Sequence, residues 1–432
     1  MRCLSFTATG DSFITRHTPR DTDFQNVASI IQNADARFTN LETVLRRGEG
    51  FPAAQSGGTW ASSPPEVLTD LGAYGFNLFA WANNHTLDYS YGGLAATQGY
   101  LDRAGFVHAG AGAHLAEAGA IRYLDTPNGR VALIAATSTF HESWIAGDQR
   151  PDGPGRPGVN PLRFTTVYQA PRELLGQLEK VAAASGINGE HQRRIEEGFL
   201  TADRDDSVRF GQHLFIASDS GRIGELTRPH EGDLARILKS VREAARRADV
   251  VLVSIHSHEG PSGAKHLPAD FFVTTARACI EAGAHAIIGH GPHVLRGVEV
   301  YQNRPIFYSL GNFIFQNESV AWQPADFYEK YRLNASLTVS EIFAQRSGNG
   351  TRGLALNPKV WHSIIASWKM AGGELQEMTL WPISLGFGEP SYRIGTPRLT
   401  RDPAVFEEVI ELSEPFGTRF RVDDGKAIWT PA

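Results

Sequence analysis

Continuous apolar runs alternate with apolar positions at helical spacing along most of the chain, and this order predicts an α/β fold. Leu4 to Thr9 predicts a buried strand ending at Gly10-Asp11, followed by one helix face made of Phe24, Val27, Ile30, Ile31 and Ala34. Arg37 to Thr39 leads into Asn40-Leu41-Glu42, and Ser62-Ser63-Pro64-Pro65 is a helix-start signal ahead of Val67, Leu68 and Leu71. Phe76 to Trp81 is strand-like and ends at Asn83-Asn84-His85, with a helix expected from about Gly93 to Ala104 and a strand from Val131 to Ala136. Leu234, Ile237, Leu238, Val241, Ala245 and Ala248 pattern another helix before the strand Val250 to Ile255, which ends at His256-Ser257-His258-Glu259. A helix over Phe272 to Ala282 precedes Ala286-Ile287-Ile288, which delivers Gly289-His290-Gly291-Pro292-His293. Pro305 to Leu310 is strand-like and ends at Gly311-Asn312-Phe313.

The regular order lapses between about His141 and Pro161, a stretch rich in Gly, Pro and charge, and Arg172 to about Phe199 is helical but polar. Residues 141–232 are therefore expected to form an insertion or lid between two halves of one domain, 1–140 and 233–318. The remainder, 319–432, carries β-like runs at Trp361 to Trp368 and Glu377 to Ile383 and a short helix near Pro403 to Leu412, as in a β-rich extension packing on the core.

Composition narrows the class. The 432 residues, 41% of them hydrophobic, suffice for one large elaborated domain or two smaller ones. A net charge of -6 without a long basic run argues against a nucleic-acid partner. The two cysteines, Cys3 and Cys279, lie in different elements and suggest a reducing compartment rather than a disulfide framework. Met1 to Phe6 lacks the apolar centre of a signal peptide, and no stretch approaches the roughly 18 uncharged apolar residues of a membrane span. A soluble cytoplasmic protein with no membrane partner is the expectation.

The polar clusters end apolar runs, where ligands of open α/β sheets bind. Asp11 is a turn residue or, more interestingly, a metal ligand or an orienting carboxylate, and Glu42 is a cap or an oxygen donor for a hard ion. The Asn84 amide oxygen can ligate a metal while His85 faces a reacting group and Asp88 sets its tautomer, the alternative being an Asx-turn. His256 and His258 share one strand face with Glu259 next in line, and the Gly-Pro spacer turns His290 and His293 toward one point. His17 and His141 stand as candidates for the rim. No nucleophile elbow, Walker motif or cysteine-rich zinc framework occurs.

In order, Gly10-Asp11, Asn40-Leu41-Glu42, Ala82-Asn83-Asn84-His85 with Asp88, His256 with Glu259, Gly289 to Leu295, and Tyr308-Ser309-Leu310-Gly311-Asn312-Phe313 resemble the bacterial capsule (poly-γ-glutamate) synthesis protein A family, within the metallo-dependent phosphatase superfamily. The resemblance implies a calcineurin-like α/β sandwich with mixed sheets, a metal site from Asp11, Glu42, Asn84, His256 and His290 (or His293), and a catalytic His85. Departures from the wider phosphatases, Ser12-Phe13 after Asp11 and Glu42 in place of the usual aspartate, favour one divalent ion (Ca, Mn, Mg or Zn) over a tight two-metal centre, with no organic cofactor. His258, Glu259 and Asn312 are expected to contact substrate. The soluble form is similar to that of family members in lasso-peptide biosynthesis. The leading expectation is thus a peptide epimerase that inverts a C-terminal Cα by two-base transfer assisted by a divalent cation, with His85 backed by Asp88 and His293 (or His290) near Asp11. The alternatives are a metal-dependent phosphoesterase or amide hydrolase, and a non-catalytic binder of poly-γ-glutamate.

Overall fold

The computed structural model describes residues 3–218, 221, 223–390 and 392–431, so Met1 and Arg2, at the start of the stretch weighed above as a signal peptide, lie outside the described residues. Two large mixed sheets stack face to face with helices on both outer sides, the layered α/β sandwich that the sequence predicts. One sheet has ten strands, running Arg421–Asp423, Lys426–Trp429, Glu374–Ser384, His362–Ala371, Cys3–Phe13, Ala36–Leu41, Leu78–Ala80 and Val107–Ala109, with Asn312–Phe315 also paired to Cys3–Phe13 and Arg398–Leu399 to Glu374–Ser384. The other has six, running Val298–Tyr301, Arg304–Phe307, Ala286–His290, Val250–His256, Gly129–Thr137 and Arg122–Thr126.

Strand alternation explains the layering. Val250 and Leu252 face the inter-sheet core with Leu4, Phe6 and Phe38. Val251, Val253 and Ile255 point the other way, onto Ile237 and Val241 of the helix Glu231–Ala244 and Phe272 and Ile280 of the helix Asp270–Glu281. Both faces are buried, so these strands read as continuous apolar runs rather than alternating ones. Each fully buried Val, Leu, Ile or Phe contributes about 1.5–3 kcal/mol. Cys279 lies in this outer core. Opposite, Phe24, Val27 and Ile31 of the helix Thr22–Gln32 cover the ten-stranded sheet with Leu71 and Tyr74 of Leu68–Tyr74.

The strands that matter for chemistry run parallel, so their carboxyl ends share an edge. Cys3–Phe13 is parallel to Ala36–Leu41 and to Asn312–Phe315, and Val250–His256 is parallel to Ala286–His290 with His256 beside His290. The first strand does not stop at Asp11 as expected but continues to Phe13, because Asn312–Phe315 pairs with it there. Register shifts on both sides of Asp11 mark a bulge, a common way of re-aiming a side chain at a functional edge.

Gly10 makes this bulge possible. A Cβ built there would lie 1.8 Å from the Gly311 carbonyl oxygen. Gly10→Ala is therefore expected to lower stability by about 3 kcal/mol or more, read as a shift in the urea midpoint. A midpoint within experimental error of the parent protein would refute the close packing of these two strands.

Residues 164–229 have more order than the sequence suggests. Phe164–Ala170, Ser207–Phe210, His213–Ala217 and Gly224–Pro229 form a four-stranded sheet of their own, and the long polar helix is two, Arg172–Ser185 and Gly189–Glu196, divided at Gly186 with φ 67°. The tail's two β-like runs form a hairpin, His362–Ala371 with Glu374–Ser384, that adds antiparallel to the first strand. Ahead of it stand two short helices that the sequence analysis did not foresee, Ala325–Lys330 and Val339–Arg346. Among the described residues no helix is long and apolar enough to cross a membrane.

Candidate metal centre

Asp11 sits fully buried on its bulge, where Oδ1 accepts from Asn40 Nδ2 at 2.8 Å and Oδ2 from the Gly291 amide at 2.8 Å. Burial opposes its charge, but His256 and His290 outweigh that and hold the carboxyl well below the usual carboxylate range. The two donors fit an ionised acceptor. Asp11 Oδ1 is 3.3 Å from His290 Nδ1 and 3.6 Å from His256 Nδ1.

Glu42 lies one residue past Ala36–Leu41 and is equally buried, yet neither carboxylate oxygen has a hydrogen-bond partner. Burial, and then the charges of Asp11 and Asp88, push its carboxyl well above the ordinary value. An unpaired buried carboxylate costs several kcal/mol unless a cation offsets it. Its nearest neighbours are His256 Nε2 at 3.7 Å and His293 Nδ1 at 4.0 Å.

Four imidazoles crowd between these carboxylates. His256 Nδ1 lies 3.0 Å from His290 Nδ1, and its Nε2 lies 3.0 Å from His258 Nε2 and 2.9 Å from Asn84 Oδ1. Burial lowers His256 to about 4, and burial likewise lowers His258 and His293, which favours neutral rings with lone pairs available. Ser254 Oγ steers His290 through Nε2 at 2.8 Å. Asp11, His256 and His290 thus place one ligand atom each within 4.8 Å of one another, and so do Glu42, His258 and His293. Each set could hold a cation. The orphaned Glu42 carboxylate and the converging nitrogens fit that role, and four imidazoles with two carboxylates suit zinc or manganese better than calcium or magnesium.

His85 stands apart, with Nδ1 2.7 Å from Asp88 Oδ2, which also accepts from the Ala61 amide at 2.7 Å. Burial raises the Asp88 carboxyl above its usual value, against the pull of the His85 ring. The pairing places the His85 proton on Nδ1 and leaves Nε2 for chemistry. His293 is oriented by Asn312 Oδ1 at 2.8 Å from Nδ1, an amide whose Nδ2 donates to Val360 O at 3.0 Å. His293 holds φ 62°, a left-handed conformation that a non-glycine residue adopts at some cost, as functional sites often require. His85 and His293 both line one cavity of about 160 Å³, together with Phe13 and Phe315.

The predicted residues divide accordingly. Asp11, Glu42, Asn84, His256, His258, His290 and His293 come together, and His85 with Asp88 adjoins them. Asn312 touches His293 rather than the cavity. Glu259 turns away, its carboxylate accepting from Ser138, Thr139 and Ser257 Oγ atoms at 2.6–2.9 Å. His17 pairs with Asp70 at 2.6 Å and His141 caps its own turn, and neither lines the cavity. No described residue of 141–232 lines it, whereas Phe343, Arg346 and Arg352 of the tail do.

Sequence reasoning missed three supporting residues. Ser254 is a lone polar residue in an apolar strand, a signal available in the sequence. Gly57 packs so closely on Asn84 that a Cβ would lie 2.2 Å from its amide nitrogen, and nothing in the sequence marks it. Arg296 is fully buried and donates to the carbonyls of Ser257, His258, Glu259 and Lys265 at 2.8–3.2 Å, holding the turn that carries His258. Arg296→Met leaves those carbonyls unmet and is expected to cost about 3 kcal/mol or more in chemical denaturation. Stability equal to that of the parent would show the turn to be self-supporting.

A family profile described as bacterial capsule synthesis protein PGA_cap matches residues 5–317. An uncharacterized protein, y4sH, of Sinorhizobium fredii is 35% identical over 98% of this chain and 92% of its own length. Capsule biosynthesis protein CapA of Bacillus anthracis is 26% identical over 72% of this chain and 60% of its own. A probable polyglutamine synthesis accessory protein of Mycobacterium tuberculosis is 25% identical over 74% and 65% respectively.

Proposed function

This chain belongs to the bacterial capsule synthesis protein PGA_cap family, and from that premise we propose that it is a metal-dependent hydrolase cleaving an amide bond in a glutamate-type peptide or polyamide. The observation that carries the reading is the pair of adjacent three-ligand groups, Asp11/His256/His290 and Glu42/His258/His293, beside a cavity floored by His85. The two groups support a reading with two cations, one more than the sequence leads one to expect. A bound divalent cation supplies positive charge that polarises a scissile carbonyl and acidifies water. The relatives named for capsule and polyglutamine synthesis support this choice of substrate class.

The chain's own residues then have separate tasks. Asp11 stays ionised, fixed by Asn40 and Gly291, and positions His256 and His290. His85, held by Asp88 through Nδ1, takes the proton that the attacking water loses at its free Nε2 and passes it to the leaving nitrogen. Phe13 and Phe315 flank the two cavity histidines and exclude water from their sides.

A second reading, the peptide epimerase, draws on one observation: His85 and His293 line the same cavity and could exchange a Cα proton between two bases. The comparisons favour the capsule-type alternative over it. Incubating the Mn²⁺-loaded protein with oligo-γ-glutamate in ¹⁸O-water and, separately, in D₂O distinguishes them by mass spectrometry. The hydrolase reading expects shortened chains carrying ¹⁸O at the new carboxyl. Full-length chains with deuterium at one Cα would replace it with the epimerase, and unaltered chains in both solvents would contradict both.

A further inference from the structure

Two arginines line the cavity that His85 and His293 share. Arg346, the last residue of the helix Val339–Arg346, lines it with Arg352, whose Nε donates to the Arg346 carbonyl at 3.1 Å. The Arg346 guanidinium is half-buried, 4.5 Å from the Tyr331 ring centroid and 5.5 Å from that of Phe327, and Nη1 donates to Thr59 Oγ1 at 3.3 Å. Stacking fixes the plane of the fork and leaves most of its five N–H donors unused. Among the described residues no carboxylate pairs with Arg346 or Arg352. Two other half-buried arginines each carry a carboxylate, Arg209 with Asp203 and Arg277 with Glu299. The one acidic lining residue, Glu318, is exposed and accepts from Asn317 at 3.1 Å.

We propose that Arg346, assisted by Arg352, is the oxyanion subsite of this cavity and holds a carboxylate of the substrate's terminal residue against His85 and His293. A rigid guanidinium fork matches a planar carboxylate through two parallel hydrogen bonds. The cavity, about 160 Å³, is below the roughly 300–1,000 Å³ of sites for drug-sized ligands, a size that suits one residue-sized unit at a chain end. The subsite belongs to the tail segment, which the sequence analysis reads only as a packing extension. The proposal rests on the hydrolase reading for the identity of the bond cleaved but not for the anion contact.

Calorimetric titration of the Mn²⁺-loaded full chain with γ-glutamyl-glutamate, with the same dipeptide amidated at every carboxylate, and with inorganic phosphate tests it. The free acid is expected to bind at least about 30-fold more tightly than its amide. Arg346→Met is expected to abolish that preference, Arg346→Lys to restore part of it, and Arg352→Met to weaken it less, with Mn²⁺ stoichiometry and melting temperature near those of the parent. Retention of the full preference in both R346M and R352M would overturn the subsite, as would phosphate binding that depends on Arg346 where the dipeptide does not bind. An Arg346-dependent preference without any cleavage by the parent protein would keep the subsite and remove the hydrolase reading. Cleavage of the free and amidated dipeptides at equal rates would do the reverse.

Discussion

Replacing His85 by Gln is expected to lower kcat by about 10²–10⁴-fold while the protein retains its metal. His85 is buried and hydrogen-bonded through Nδ1 to Asp88, and its ring lines the cavity without belonging to either candidate ligand group. Its loss removes a proton donor and spares the cation site, so rate and metal content separate. Asp88→Asn should reproduce part of the loss, because an amide can present its N–H to Nδ1 and favour the wrong tautomer. Steady-state rates on oligo-γ-glutamate paired with metal analysis check this. An H85Q protein that turns over like the parent would remove His85 from the chemistry, and one that loses its metal would place it among the ligands.

Glu42→Gln should act in the opposite sense on stability and on metal response. Among the described residues the buried Glu42 carboxylate has no hydrogen-bond partner, and burial with the nearby Asp11 and Asp88 charges holds its carboxyl well above the usual carboxylate range. A carboxyl raised in the folded state binds protons there more readily than in the unfolded chain. Its stabilising contribution is complete below the unfolded value of about 4.3 and is lost as pH rises through the folded value. Asp11, lowered by its histidines, contributes in the other direction, with stability lost on acidification. At neutral pH the metal-free E42Q protein is thus expected to match or exceed the parent by about 1–3 kcal/mol, while the rise in melting temperature on adding Mn²⁺ or Zn²⁺ shrinks or disappears. Thermal melts with and without metal, repeated across pH, measure both. A metal-free E42Q protein clearly less stable than the parent would show that Glu42 has a protein partner, and an undiminished metal response would exclude it as a ligand.

Much of the site is legible in the sequence because parallel strands carry their polar termini to one edge. Asp11, Glu42, Asn84, His256 and His290 each follow a run of buried apolar residues, and the period of the chain alone places them together. The layered α/β architecture follows from the same alternation. Three features escape this logic. The four-stranded sheet of the insertion is built from short, half-buried strands whose pattern is too weak to stand out. The helix carrying Arg346 gains its definition from packing of Ile342 and Phe343 against Trp60 and Phe327, contacts between distant segments that no local window contains. The division of labour among histidines depends on ångström-scale neighbours. His258, expected to meet substrate, lies beside Glu42 and His293, and Glu259 is tied down by three hydroxyls.

The paired cation centre is the claim on which the functional account stands, and counting bound ions by native mass spectrometry tests it most directly. The metal-free protein titrated with Mn²⁺ or Zn²⁺ is predicted to take up two ions per chain, with one retained after Glu42→Ala and none after Asp11→Ala combined with Glu42→Ala. A folded parent protein that retains no ion at saturating metal, or a double variant that retains as many as the parent, would contradict it.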